Sequence, residues 1–200
     1  DKNNFIKSNI KNITSLNVAG FLREELNPYI IPEISAQYES YKKDNQRFIA
    51  HAGGKIDDYI YTNSLEAMNA NYKKAFRLFE LDLHLTTDSH LVAVHNWDEW
   101  KSITGYTGET PVSKDVFIRQ KLYNQYTPLD MHGINEWFKN HPDATLITDK
   151  IDEPKLVAES FIDRDRLMME LFSWEAIEEA FLCKIRAPIA AQRLIFSLIQ

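Results

Sequence analysis

The sequence predicts an α/β fold of the (β/α) TIM-barrel type, and three observations carry that prediction. Short apolar runs alternate with segments of helical period along most of the chain. The polar residues His51, His95 and Asp149 fall at the C-terminal ends of predicted strands, the edge on which barrels build their sites. No Gly-x-Gly-x-x-Gly or phosphate-loop pattern follows the first strand, which weighs against the competing doubly wound open sheet.

Taken in order, residues 1–46 carry apolar side chains at loosely helical intervals broken by Pro28 and Pro32, and are expected to form a helical N-terminal segment. Arg47 to His51 reads as a buried strand opening into Ala52-Gly53-Gly54, where glycine lets backbone approach a ligand closely. Asn63 or Ser64 then caps a helix carrying Leu65, Met68, Tyr72 and Phe76. Strands follow over 79–85 and 91–95, joined by the turn-forming Thr86-Thr87-Asp88-Ser89.

After Trp97 the pattern dissolves, so a loop insertion is expected over about 97–132, of a length that in compact domains tends to be functional. A helix over 134–140, a strand over 145–149, a helix over 153–161, a strand over 167–172, a helix over 174–185 and a strand over 193–199 complete the chain. The barrel domain is thus expected over 47–200. Its six strands fall short of the eight that close such a barrel, so an incomplete barrel is expected.

The 200 residues are 44% hydrophobic and 26% charged, enough for one sizeable core. A net charge of -6 argues against nucleic acid or an anionic membrane as a partner over the whole surface, while leaving room for a local pocket that takes one phosphate. The single cysteine, Cys183, rules out an intrachain disulfide or a thiolate metal cluster and reads as a buried structural thiol. No run approaches a membrane span of roughly 18 apolar residues, and a chain that opens at Asp1 without a signal pattern reads as processed or cut. An extracytoplasmic location is marginally favoured over a cytoplasmic one.

The chemistry concentrates between Phe79 and Trp97. Strict alternation puts Glu80, Asp82 and His84 on one strand face and Phe79, Leu81, Leu83 and Leu85 on the other. Carboxylates at i and i+2 can reach one hard cation together. His84 reads as a bystander lining the barrel interior, Trp97 and Trp100 as packing residues, and Asp88 as a turn-former.

Five motifs then stand in order: His51-Ala52-Gly53, Tyr61-Thr62-Asn63-Ser64, Glu80-Leu81-Asp82, Thr86-Thr87-Asp88-Ser89 and His95-Asn96. In sequence and spacing they resemble the glycerophosphodiester phosphodiesterase family, whose corresponding motifs are His-Arg-Gly, Pro-Glu-Asn-Thr, Glu-x-Asp, Thr-x-Asp-Gly and His-Asp. The resemblance covers residues 47 to about 150. It implies a metal-dependent phosphodiester hydrolase acting on a small-molecule or lipid-derived substrate. His51 and His95 would be acid and base, Glu80, Asp82 and Asp149 the metal ligands, and Asn63 and Lys150 substrate contacts. An all-oxygen ligand set favours one Ca²⁺ or Mg²⁺ over zinc.

The departures bear on substrate contacts. Ala52 removes a bidentate phosphate donor, Thr62 replaces the loop acid, Asn96 replaces an aspartate and Asp149 a glutamate. The family lysine lies two residues beyond its acid, whereas Lys150 is adjacent to Asp149 and in a regular strand would point elsewhere. Phospholipase C and sphingomyelinase D groups share this barrel logic, so a lipid-headgroup phospholipase is an alternative. A catalytically silent barrel serving as a binding module is another.

Overall fold

The computed structural model describes Gln46, residues 48–185 and the backbone of 187–190, all within the compact unit Asn45–Gln200. The helical segment expected over 1–46, Gln46 aside, and the strand expected over 193–199 lie outside the described residues.

Five strands run parallel: β1 (Ile49–Ala50), β2 (Leu78–Leu85), β4 (Thr145–Asp149), β5 (Leu167–Leu171) and β6 (Ala187–Ala190), in the spatial order β1-β2-β4-β5-β6. The short β3 (Leu91–Ala93) pairs antiparallel with the far half of β2, with Leu83 opposite Ala93. Helices α1 (Leu65–Lys73), α4 (Met131–Asn140), α5 (Pro154–Ser160) and α6 (Trp174–Leu182) form the crossovers between parallel strands, the α/β barrel arrangement. The described strands are those of an incomplete barrel, since a closed one uses eight.

Side-chain alternation divides β2 between two surroundings. Phe79, Leu81 and Leu83 are fully buried in one core with Leu146, Leu167 and Met169 of the neighbouring strands. Met68, Ile134, Phe138, Val157 and Ala180 supply the helical side of that core. Glu80 and Asp82 alternate to the other face, where both are buried as well. Side-chain caps start three of these four helices: Ser64 Oγ accepts from Ala67 N, Asp130 Oδ1 from Gly133 N and Ser173 Oγ from Ala176 N. Of the two cap candidates before α1, Ser64 is therefore the cap.

The expected loop over 97–132 is a folded insertion instead. It holds α2 (Trp97–Thr104) and α3 (Lys114–Arg119), and its Trp100, Val112, Phe117, Leu122 and Tyr126 form a second core with Val92 and Val94. Trp100 and Phe117 stack with ring centroids 5.6 Å apart. Asn96 caps α2 by accepting from Glu99 N, and Gly105 ends it in the left-handed conformation. The dense Thr, Gly and Pro signals after Thr104 mask α3 in the sequence.

Cys183, read as buried, is half-buried at the end of α6 and only packs against the core edge. Strand β6 was not expected, because Ala187-Pro188-Ile189-Ala190 carries little β-propensity and a proline that cannot donate to a ladder. No helix among the described residues is long and apolar enough to cross a membrane.

Candidate active site

Strand register assembles the acids. Asp82 and Asp149 are partners across β2 and β4, so their side chains emerge side by side on one face, with Glu80 two residues back on that face. One ligand oxygen from each of Glu80, Asp82 and Asp149 lies within 4.8 Å of the other two, and all three residues are buried. Three carboxylates so close repel one another. Burial, and next the charge of Asp82, push the Glu80 carboxyl up to about 8.

The loops after β1 fix two of these acids. Ala52 N donates to Glu80 Oε2 at 2.6 Å. Ala52 reaches that position in a left-handed conformation (φ 50), followed by Gly53 and Gly54 at φ 78 and 91. At Gly54 a Cβ would lie 2.3 Å from Asn71 Nδ2, the amide that ties this loop to α1 through Gly53 O and Lys55 O. Asn63 clamps Asp82 twice: its Nδ2 donates to Asp82 Oδ2 at 2.9 Å and its Oδ1 accepts from Asp82 N at 3.0 Å. Asn63 is wholly buried, and both ends of its amide are committed to Asp82.

Each histidine meets a different acid. His51 Nε2 lies 3.6 Å from Glu80 Oε2, with the imidazole more than half exposed. His95 Nδ1 lies 3.2 Å from Asp82 Oδ1, held just beyond β3 where Val94 N donates to Asp82 O. The Tyr61 ring touches both imidazoles, edge-on to His51 at 4.9 Å between centroids and tilted against His95 at 4.7 Å. Tyr61 was missed as a site residue. Its only sequence signal is its place beside Thr62-Asn63, and its positive φ of 58 puts it in contact with both rings.

His84, two residues beyond Asp82 on β2, faces His95 O with its Nε2 at 3.3 Å, and burial lowers its pKa. Asp88 is a turn residue that accepts from Thr86 Oγ1 and Lys114 N.

Lys150 corrects a sequence expectation. The strand ends at Asp149, and Lys150 adopts the left-handed conformation (φ 67). Its side chain therefore turns back onto the acidic face instead of away from it. Nζ hydrogen-bonds Asp149 Oδ2 and lies 3.7 Å from Asp82 Oδ1. Burial pulls its pKa down, but the Asp149 hydrogen bond and the acidic charges outweigh burial and raise it.

The residues fit a hard divalent cation. The donor set is entirely carboxylate oxygen, and Glu80 Oε1 is a buried oxygen with no hydrogen-bond partner among the described residues. A metal ligand is one of the few good uses for such an atom.

Fold and site together define an α/β barrel with an acidic centre at the C-terminal edge of its sheet. No family model matches the chain, and no curated protein does. Solved structures do. A provisionally named glycerophosphodiester phosphodiesterase from Galdieria sulphuraria superposes with a TM-score of 0.56 at 17% identity, over 74% of this chain and 65% of that one. A glycerophosphoryl diester phosphodiesterase from Parabacteroides distasonis gives 0.54 at 19% identity, over 74% and 56%. A glycerophosphodiester phosphodiesterase from the same organism gives 0.51 at 18%, over 70% and 62%. The chain thus spans less than two thirds of the length of each, and at these identities the likeness establishes the fold.

Proposed function

We propose that this chain is a phosphoric diester hydrolase that cleaves a small-molecule or lipid-derived phosphodiester, such as a glycerophosphodiester, with one Ca²⁺ or Mg²⁺ held by Glu80, Asp82 and Asp149. The observation that carries the reading is the pairing of two histidines with two acids of one cluster: His51 with Glu80 and His95 with Asp82. A silent binding module has no need of that arrangement.

The bound cation would neutralise the diester's charge and stabilise the charge that builds in the transition state. Everything else falls to the chain's own side chains. His95, with Nδ1 against Asp82, is held in the tautomer that leaves Nε2 basic, and takes the proton of the attacking hydroxyl. His51, half in solvent beside Glu80, gives a proton to the departing alkoxide. Tyr61, wedged against both rings, keeps the two imidazoles apart and oriented. The attacker is water or a neighbouring hydroxyl of the substrate, the latter giving a cyclic phosphodiester first.

A substrate panel tests the reading: glycerophosphodiesters, lysophospholipids and sphingomyelin, each incubated with the full chain and Ca²⁺ or Mg²⁺. Release of a phosphomonoester or cyclic diester from a glycerophosphodiester supports it. A folded, cation-loaded chain that cleaves none of them contradicts it and favours the silent barrel.

A further inference from the structure

Resting on the metal reading above, we infer that Lys150 is a tethered counter-cation of the acidic cluster, which a divalent cation must displace, so that this lysine sets the cation affinity of the site. The placement is specific. Its ammonium hydrogen-bonds Asp149 and lies 3.7 Å from Asp82 Oδ1, and these two residues supply two of the three clustered ligand atoms.

The backbone is bent to put it there. Successive residues of a strand point to opposite faces, so the residue after Asp149 belongs on the far side of the sheet. Lys150 instead takes a left-handed φ of 67, a conformation unfavourable for a non-glycine residue that needs compensation from the contacts it makes. Those contacts are its backbone N to Asp149 Oδ1 at 2.6 Å and its ammonium to the acids.

Charge explains why a cation and the ammonium compete. Asp82 and Asp149, joined by Glu80 once it gives up its proton, gather negative charge in a buried space, and Lys150 answers one of those charges. A divalent ion answers two and needs the same oxygens. Lysine is a compact charge on a flexible stem, with a side chain still 35% exposed, so it can give way without unfolding the loop. Once displaced it remains a positive charge at the mouth of the site, available to an anionic substrate.

The test is calorimetric titration of CaCl₂ and MgCl₂ into the full chain, wild type against Lys150→Met, Lys150→Gln and Lys150→Arg, with melting curves for each. Removing the positive charge should tighten cation binding by about 10-fold, a modest gain because the pair is partly solvent-screened. Lys150→Arg should stay near wild type. The neutral variants should also melt lower than wild type without cation and gain more from it. Equal or weaker binding by folded Lys150→Met and Lys150→Gln overturns the inference while leaving the metal reading intact. If neither wild type nor any variant takes up either ion, both fail.

Discussion

Asp82 and Asp149 face each other across the parallel ladder of β2 and β4, two like charges in register on the side of the sheet that carries the site. Like charges directly opposite on a sheet destabilise it, and a protein keeps such a pair where function needs it. Asp149→Asn keeps the shape and removes one charge. Its melting temperature without metal is expected to stay level or rise, while the stabilisation that Ca²⁺ or Mg²⁺ gives wild type disappears. Paired melting curves check this, and a variant that still gains wild-type stabilisation from the cation removes Asp149 from the ligand set.

The histidines predict the opposite pattern. His51→Ala and His95→Ala should leave cation binding nearly intact while lowering turnover by roughly 10²- to 10⁴-fold, the usual worth of a positioned proton donor or acceptor. Calorimetric titration beside steady-state rates separates this from a structural role. Near-normal turnover in either variant would sink the acid and base assignment.

Glu80 ties stability to pH. Burial, then the Asp82 charge, raises its carboxyl to about 8, so the folded chain keeps a proton that the unfolded chain loses in the ordinary carboxylate range. A group with a raised folded pKa stabilises most below its unfolded value, and that contribution is lost as pH rises through about 8. Without metal, this contribution to stability should therefore decline from about pH 5 to about pH 8. The cation needs the carboxylate, so the stabilisation it adds should grow over the same interval. Melting curves of wild type and Glu80→Gln across that range isolate the effect. A wild type whose pH dependence matches that of Glu80→Gln contradicts it.

How far this site is legible in the sequence depends on the range of the interaction. Glu80 and Asp82 follow from strand alternation, a local rule, and the core face of Phe79, Leu81 and Leu83 follows from the same rule. Strand ends marked by His51 and Asp149 follow from runs bounded by turn residues. What alternation misleads about is Lys150, because a single left-handed residue reverses its direction and nothing in Asp149-Lys150-Ile151 announces that turn. Asn63 looks like a helix cap or a ligand contact in sequence, whereas its double clamp on Asp82 depends on a partner 19 residues away. The insertion was partly legible: Asn96 and Glu99 have the spacing of a capping pair, and Trp97, Trp100 and Ile103 recur every three residues. The packing of Phe117 onto Trp100 is tertiary and has no local signature.

That insertion supports His95. Trp100 is 1% exposed and anchors the second core, and the same core includes Val94, the residue before His95. Trp100→Ala should cost about 3–5 kcal/mol, the range for emptying an aromatic site in a core. It should also lower turnover more than it lowers cation affinity, since it loosens His95 and not the acids. Chemical denaturation with cation titration on the same samples checks both, and a change below about 1 kcal/mol shows that the insertion is not held by this core.

The central claim is cation-dependent cleavage of a phosphodiester at Glu80, Asp82 and Asp149. It is tested most directly by following a glycerophosphodiester by ³¹P NMR in one sample containing the full chain, first with Ca²⁺ or Mg²⁺, then with excess chelator, then with cation restored. The account predicts that the diester signal gives way to a phosphomonoester, directly or through a cyclic diester, that conversion stops with chelator and that it resumes with cation. It also predicts no conversion at any stage by Asp82→Ala. Conversion that continues unchanged in chelator, or that survives in Asp82→Ala, would contradict it.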